Sequence, residues 1–200
     1  MITHTELFLE ETSKIAMEID HGAIERIVDG LVDLKNRLGR LFILGVGGSA
    51  ANSGHAVNDF RKLAGIEAYA PTDNVSELTA RTNDEGWETV FEAWLKTSRI
   101  NQNDAILVLS VGGGDINNGV SVNIIKALEE GKRCGATIYG IVGRTDGFTN
   151  QVGDEVVVVP NVNPEHVTPH SESFQSIVWH CLVFHPDLKV NPSKWESITP

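Results

Sequence analysis

The sequence predicts an α/β fold in which helices cover both faces of a parallel β-sheet. Three apolar runs, at residues 40–46, 105–110 and 137–142, are typical of buried strands. Helical patterns separate these runs, and a chain that alternates strands with helices builds parallel strands joined by crossovers. Ligands of such sheets bind beyond the carboxyl ends of the strands. A binding site is therefore expected in the loops that follow the strands.

Two helices are predicted before the first strand. The second carries an apolar stripe and ends at Gly39. This stripe could pack on the chain's own sheet or on the same helix of another subunit. Its members are Ile24, Ile27, Val28, Leu31, Leu34 and Leu38.

The rest of the chain completes a single predicted domain over residues 1–200. Its parts are a helical extension at 1–39, an α/β core at 40–185 and an extended, proline-rich tail at 186–200. Weaker strands are expected at 66–69 and 155–159, and further helices at 50–63, 77–82, 87–98, 120–134 and 171–184.

Charge and cysteine content narrow the possible function. A formal net charge of -11 argues against a general affinity for nucleic acid or an acidic membrane surface, because phosphate binding draws on Lys and Arg. The isolated Cys134 and Cys181 are typical of thiols in a reducing compartment. No signal-peptide pattern or membrane-length apolar run is found, so the expected location is the cytoplasm.

A glycine-rich turn, Gly45-Val46-Gly47-Gly48-Ser49-Ala50, follows the first strand. Its backbone amides, the start of the next helix and the Ser49 hydroxyl suit a phosphate or a sugar oxygen. The turn also matches the G-x-G-x-x-A dinucleotide pattern, with Glu67 about 20 residues further on. A tight turn without a ligand is the third possibility.

Two pairs of polar residues lie on predicted helices. His55 and Asp59 share a helix face at i and i+4, as a metal-ligand pair or a base with its partner would, and so would two residues of a solvated face. Glu172 and His180 lie two turns apart on the last helix, where His180 could also be a hydrogen-bonded core residue. Asn83-Asp84, taken alone, indicates a helix N-cap.

Taken together, these residues resemble the phosphoheptose isomerase family of sugar isomerase (SIS) domains, over nearly the whole chain. The family's first loop reads G-N-G-G-S-A and corresponds to the turn at 45–50. Its next helix carries H-x-x-x-E, for which this chain has His55 and Asp59. The resemblance implies a three-layer parallel-sheet SIS domain with two N-terminal helices.

Two more motifs follow in the same order. The family's N-D-x-G segment corresponds to residues 83–86. Its T-P-R-I-Q-E pattern, with a histidine eight residues after the glutamine, corresponds to Thr168-Pro169, with Glu172 in the glutamine position and then His180. Four separated matches in the right order are far more specific than any one of them.

The resemblance implies a ketose–aldose isomerisation of sedoheptulose 7-phosphate through an enediol. Asp59 would be the base, His180 the acid and base, and Asp84 would orient a neighbouring group. Zinc or another divalent metal would be bound by His55, Asp59, Glu172 and His180, and no nucleotide cofactor is expected. The substrate-binding positions would be Gly47, Gly48, Ser49, Asn83, Ser110, Gly112, Gly113 and Ser121. The family also implies a homo-oligomer, a tetramer, with sites at subunit interfaces.

Several positions depart from the family. Its phosphate loop reads S-T-S-G-N-S, whereas this chain has Ser110-Val111-Gly112-Gly113-Gly114-Asp115, and Asp115 would repel a phosphate unless it points away. Asp59 is shorter than the family's Glu, and His170 replaces an Arg. Glu172 in place of the family's Gln adds negative charge, which favours a metal more than a bare sugar. These changes suggest a different sugar. A SIS protein that only binds sugar phosphates or a replication initiator, and a nucleotide-dependent oxidoreductase, are the remaining alternatives.

Overall fold

The computed structural model describes residues 2–198 and has a three-layer α/β architecture. A five-stranded sheet with the order β2-β1-β3-β4-β5 forms the middle layer, and its four strand pairs are all parallel. The strands are β1 Leu41–Gly45, β2 Ala68–Tyr69, β3 Ala105–Ser110, β4 Thr137–Val142 and β5 Glu155–Val158. The predicted fold class is confirmed. This strand order is the flavodoxin-like one, not the order of dinucleotide-binding sheets.

Helices form the outer layers. They are α1 His4–Glu18, α2 His21–Asn36, α3 Gly48–Asp59, α4 Val75–Asp84, α5 Val90–Thr97, α6 Val122–Arg133, α7 Phe148–Val152, α8 Val167–Phe184 and α9 Lys194–Ser197. A π-helical turn at Phe60–Ala64 extends α3, and a 3-10 turn at Pro71–Asp73 precedes α4. None of the helices within residues 2–198 combines the length and apolar character needed to span a bilayer.

Two hydrophobic cores flank the sheet, and β1 contributes to both. Leu41 and Ile43 join the core beneath α2, α3 and α8, whereas Phe42 and Leu44 join the core beneath α5 and α6. Successive side chains of a strand point to opposite faces of the sheet, so a strand covered on both faces must be apolar throughout. The continuous apolar runs in the sequence have this origin.

The apolar stripe of α2 packs on the chain's own sheet. Five of its six members are buried in the first core, and only Leu38, beyond the end of the helix, is exposed. Gly30 of α2 lies against the hydroxyl end of the Tyr139 side chain on β4. The stripe is therefore used within the chain and does not support a subunit contact.

The last long helix, α8, begins at Val167, a turn earlier than the predicted start at 171. Pro169 lies in its first turn, where a backbone N–H has no acceptor within the helix, so proline is tolerated there. The prediction treated the prolines before Ser171 as a loop and was wrong for this turn.

The segment after α8 is not the extended arm that was predicted. Leu188 is fully buried, and the N–H groups of Val190 and Asn191 donate to the Leu63 carbonyl, so the segment docks on the turn that follows α3. The short helix α9 follows. Residues 199 and 200 of the predicted tail lie outside the described residues.

The N-cap interpretation of Asn83-Asp84 is also wrong. The two residues are the last two of α4, and α5 starts only at Val90. The N-cap of α4 is Asn74, whose side chain accepts the N–H of Glu77.

Candidate active site

The glycine turn between β1 and α3 allows a close approach of backbone to backbone. A Cβ on Gly45 would lie 2.4 Å from the Ser49 carbonyl oxygen, so only glycine fits there. Gly47, the N-cap of α3, has a φ of 64°, which favours glycine. No side chain caps α3, so the backbone N–H groups at its start and the positive end of its dipole are available.

The carboxylate of Glu172 lies at this helix start. A Cβ placed on Gly48 would be 2.6 to 2.7 Å from the carboxyl atoms of Glu172. A negative charge is stabilised at the N-terminus of a helix, which explains why the carboxylate lies there. Glu172 thus occupies the position where the sequence predicted a phosphate or sugar oxygen.

The helix after the turn brings His55 and Asp59 to a second part of the site. Nε2 of His55 lies 3.8 Å from Oδ2 of Asp59, and Nε2 of His180, on α8, lies at the same distance from that oxygen. The three ligand atoms all lie within 4.8 Å of one another, and we call these residues the His55–Asp59–His180 cluster. Asp59 is nearly buried, and its Oδ1 accepts a hydrogen bond from Nδ2 of Asn58 at 2.7 Å.

Glu172 lies outside this cluster, so a single chain brings together three of the four predicted metal ligands. The reason is the packing of α8 beside α3. Glu172 reaches the start of α3, while His180, eight residues further on, reaches Asp59 near the end of α3. Eight residues of helix span about 12 Å, so the two side chains face different ends of α3.

Hydrogen bonding fixes the tautomer of His180. Its Nδ1 lies 2.7 Å from the carbonyl oxygen of Ser176, which only accepts, so Nδ1 carries the proton of the neutral ring. The lone pair of Nε2 then faces Asp59. Trp179 supports both imidazoles, with ring centroids 3.5 Å from that of His180 and 4.7 Å from that of His55. The hydrogen-bond partner that His180 was expected to have is therefore a backbone carbonyl.

The donor set of the cluster fits a metal ion. Two imidazole nitrogens and one carboxylate oxygen are the protein ligands of many catalytic zinc sites, which leave a further position open. The outer bond of His180 to a backbone carbonyl is the arrangement that orients a metal-binding histidine. His55 and His180 are both partly exposed, so the cluster is open to ligands from solvent.

The second glycine-rich loop follows β3. Oγ of Ser110 accepts the N–H of Gly113 at 3.0 Å, so that amide is used within the loop. Asp115 is turned toward its own hairpin, where the N–H and Nδ2 of Asn118 donate to its carboxylate at 3.0 and 2.7 Å. These hydrogen bonds, the side-chain one above all, hold the pKa of Asp115 below its usual range. Ser121 is the N-cap of α6 and makes no side-chain cap.

Asn83 and Asp84 lie apart from the cluster. Both are exposed at the end of α4, and Nδ2 of Asn83 donates to Oδ1 of Asp84 at 2.7 Å. Within residues 2–198, no hydrogen bond or ion pair joins them to His55, Asp59 or His180. One chain therefore does not bring them into the cluster.

A buried amide network that the sequence did not indicate links α3 to α8. Gln175 is fully buried, and its Nε2 donates to Oγ of Ser49 at 3.0 Å. Nδ2 of Asn52 donates to Oε1 of Gln175 and to the Glu172 carbonyl, both at 2.9 Å. The available signal was the position of Gln175 on the apolar face of α8, three residues before Val178.

Residues 8–143 match the family model described as the SIS domain. A probable phosphoheptose isomerase from Thermoplasma volcanium is 31% identical over 157 residues, which cover 76% of each chain. The chain belongs to the phosphoheptose isomerase family of SIS domains. Phosphoheptose isomerase 1 of Campylobacter jejuni is also 31% identical, over 80% of this chain and 87% of that protein.

Solved structures of the family have the same fold. A phosphoheptose isomerase from Francisella tularensis superposes with a TM-score of 0.77 over 91% of this chain and 97% of that chain, at 20% identity. Family membership also gives the class of reaction, an aldose–ketose isomerisation. The family loop motif at 45–50 and the His55–Asp59–His180 cluster are the parts of the site that this chain carries.

Proposed function

We propose that this family member converts sedoheptulose 7-phosphate to glycero-manno-heptose 7-phosphate through an enediol. The observation that carries the proposal is the convergence of Asp59 and His180 beside His55. An aldose–ketose isomerase needs a base at the carbon next to the carbonyl and an acid–base group that returns the proton at the neighbouring carbon. Asp59 and His180 supply one group of each kind, and His180 is partly exposed to solvent.

In this proposal Asp59 removes the proton from the carbon next to the ketone. The enediol forms, and His180 returns a proton to the neighbouring carbon from Nε2, the ring nitrogen that its bond to Ser176 leaves free. Asn58 holds Oδ1 of Asp59, so Oδ2 is the oxygen directed at the substrate. General acid–base groups of this kind contribute about 10² to 10⁴ in rate.

Zinc or another divalent metal would be bound by His55, Asp59 and His180, without Glu172. When bound, it would supply Lewis-acid polarisation of the carbonyl and hydroxyl oxygens of the sugar. His180 has only one free ring nitrogen, so at any moment Nε2 holds either the metal or a proton. A comparison of turnover by metal-free and zinc-loaded protein separates these two uses of His180.

We assign the phosphate group of the substrate to the second glycine-rich loop, which follows β3. Glu172 at the start of α3 repels an anion there. The start of α6, with Ser121, Ser110 and the backbone at Gly112, is the remaining helix N-terminus among the predicted substrate-binding positions, whereas the N–H of Gly113 already donates to Ser110. Asp115 does not oppose this assignment, because its carboxylate is turned toward Asn118.

A homotetramer in the cytoplasm completes the proposal. The His55–Asp59–His180 cluster is open at the surface of one protomer, and Asp84 is exposed away from it. A neighbouring copy would close the site and could bring Asn83 and Asp84 to it. Exposed apolar residues of α1, among them Leu9 and Met17, offer surface for such contacts.

The test is an isomerase assay on the full-length protein with sedoheptulose 7-phosphate. A second candidate, an isomerase for another sugar phosphate, is favoured by the loss of hydroxyls from the loop at 110–115. A panel of ketose phosphates distinguishes the two. Turnover of another ketose phosphate alone would support the second candidate, and binding without turnover of any would indicate a sugar-phosphate sensor.

A further inference from the structure

A second cluster of metal-ligating side chains joins α1 to the start of α8. Oε2 of Glu11 lies 2.8 Å from Nδ1 of His166 and 2.9 Å from Nε2 of His170. These three ligand atoms lie within 4.8 Å of one another, and we call the residues the Glu11–His166–His170 cluster. It shares no residue with the His55–Asp59–His180 cluster, and the family resemblance assigns it no role.

The cluster is enclosed by the protein. Glu11 is 8% exposed and His170 is 3% exposed. The ring of Phe8 stacks on His170 at 4.3 Å, and Nδ1 of His170 is buried without a hydrogen-bond partner. Apart from this stacking, the described contacts of the His170 ring are with Glu11 and His166. Burying polar groups this deeply costs folding free energy unless each of them has a hydrogen-bond partner.

Asn163 helps to organise the cluster around Glu11. Its Oδ1 accepts the N–H of Glu165 at 3.0 Å, so its Nδ2 faces the cluster as a donor. That Nδ2 lies 2.7 Å from Oε1 of Glu11 and 3.1 Å from Nδ1 of His166. With Nδ1 protonated, His166 and Asn163 donate to the two oxygens of Glu11. With Nδ1 bare, its lone pair faces the lone pairs of Oε2, and a cation between the two atoms would bind both.

We propose that the Glu11–His166–His170 cluster is a second divalent-metal site of the zinc class, which ties α1 to α8. A cation accepts the lone pairs of both imidazoles and of Oε2 at once, and it would replace the two imidazole protons that otherwise lie between the histidines and Oε2. Imidazole nitrogens select zinc and related metals over magnesium or calcium, which prefer oxygen ligands. Asn163 keeps its bond to Oε1 and acts as the outer partner that orients the carboxylate.

The spacing of the ligand atoms suits this role. Ligands about 2.1 Å from a tetrahedral ion lie about 3.4 Å apart, so each distance between Oε2 and a histidine nitrogen would lengthen by about half an ångström on binding. Carboxylate and neutral imidazole are the forms of these side chains that bind metal.

The experiment separates the two clusters by substitution. The double variant His55→Ala/His180→Ala removes the first cluster, and its zinc content is measured after dialysis. We expect it to retain about one zinc ion per chain. Adding Glu11→Gln should lower zinc affinity at least about 100-fold, since loss of an outer partner alone typically costs about 10-fold to 100-fold. The matched control is Glu10→Gln, which removes the same charge from an exposed position on α1.

Two further measurements test the proposal without relying on the Glu11→Gln affinity alone. Asn163→Ala in the same background should lower zinc affinity about 10-fold to 100-fold. Zinc should also raise the melting temperature of the double variant and leave that of the variant with Glu11→Gln unchanged. A double variant that holds no zinc, or one in which Glu11→Gln and Glu10→Gln hold zinc equally, would overturn the proposal and leave a hydrogen-bonded junction.

Discussion

At the residue scale, position 172 distinguishes this chain from the family pattern. The family has a glutamine there, and the glutamate of this chain sets its carboxylate against Gly48 at the start of α3. A full negative charge at a helix N-terminus is stabilising for the protein but competes with an anionic ligand for the same amides. The residue thus stabilises the turn and weakens it as an anion site.

Replacing this charge tests the idea. Glu172→Gln keeps the size of the side chain and removes its charge, so the KM for a phosphorylated substrate should fall about fivefold, the equivalent of about 1 kcal/mol. Steady-state kinetics measure the change. Glu165→Gln, an exposed residue just before α8, is the control and should leave KM unchanged. A KM that rises in Glu172→Gln would mean that the carboxylate itself binds the sugar.

Sequence spacing predicted part of the site at this scale. The i and i+4 positions of His55 and Asp59 put them on one helix face, and the structure brings them together with His180. The position of Glu172 could not be predicted, because it depends on how α8 lies along α3. Gln175 was missed for the same reason, since its partners Ser49 and Asn52 are distant in sequence.

At the element scale, the β1–α3 turn depends on a glycine. Gly45→Ala would place a Cβ 2.4 Å from the backbone carbonyl of Ser49, which cannot move aside as a flexible side chain would. We expect a loss of about 1 to 3 kcal/mol in the free energy of unfolding. Urea denaturation measures it, and Gly112→Ala, whose Cβ would meet nothing within 4 Å, should change stability little. Equal effects of the two changes would contradict the close approach.

The packing of α2 on β4 has a predicted pH dependence. Burial raises the pKa of Tyr139 to about 12 from an ordinary value of 10.0. The folded protein favours the neutral phenol of Tyr139. The stability that this preference contributes is present below pH 10 and is lost as the pH rises through 12. Thermal unfolding across this range should show the loss.

The chain has two tyrosines, so single variants separate them. Tyr139→Phe should remove the alkaline loss of stability that Tyr139 causes, whereas Tyr69→Phe, on the partly exposed edge strand β2, should leave it in place. An identical alkaline loss in Tyr139→Phe would assign the effect to other groups.

Strands and helices could be predicted from the sequence where burial alone decides the pattern of apolar residues. The bounds of β3 and β4 were predicted correctly, because a strand buried on both faces has no polar interruptions. The start of α8 and the docking of the last segment were not, because both depend on contacts between distant parts of the chain. Leu188, for example, is buried in the first core although prolines surround it in sequence.

At the scale of the whole molecule, we expect four copies of the chain to assemble into a homotetramer. Light scattering on the purified protein should give about four times the 21.8 kDa of one chain. The open position of the His55–Asp59–His180 cluster is the reason, since a site that excludes water needs a neighbouring copy to cover it. A monomer at micromolar concentration would contradict the interface site.

The most direct test of the central claim is turnover of sedoheptulose 7-phosphate by the wild type, Asp59→Asn and His180→Gln. We expect measurable isomerisation by the wild type and a loss of about 10² to 10⁴ in kcat in each variant. His21→Gln and Asp73→Asn, which change the same residue types outside the cluster, should keep wild-type activity. Undiminished turnover in Asp59→Asn and His180→Gln would contradict the assignment of proton transfer to the His55–Asp59–His180 cluster.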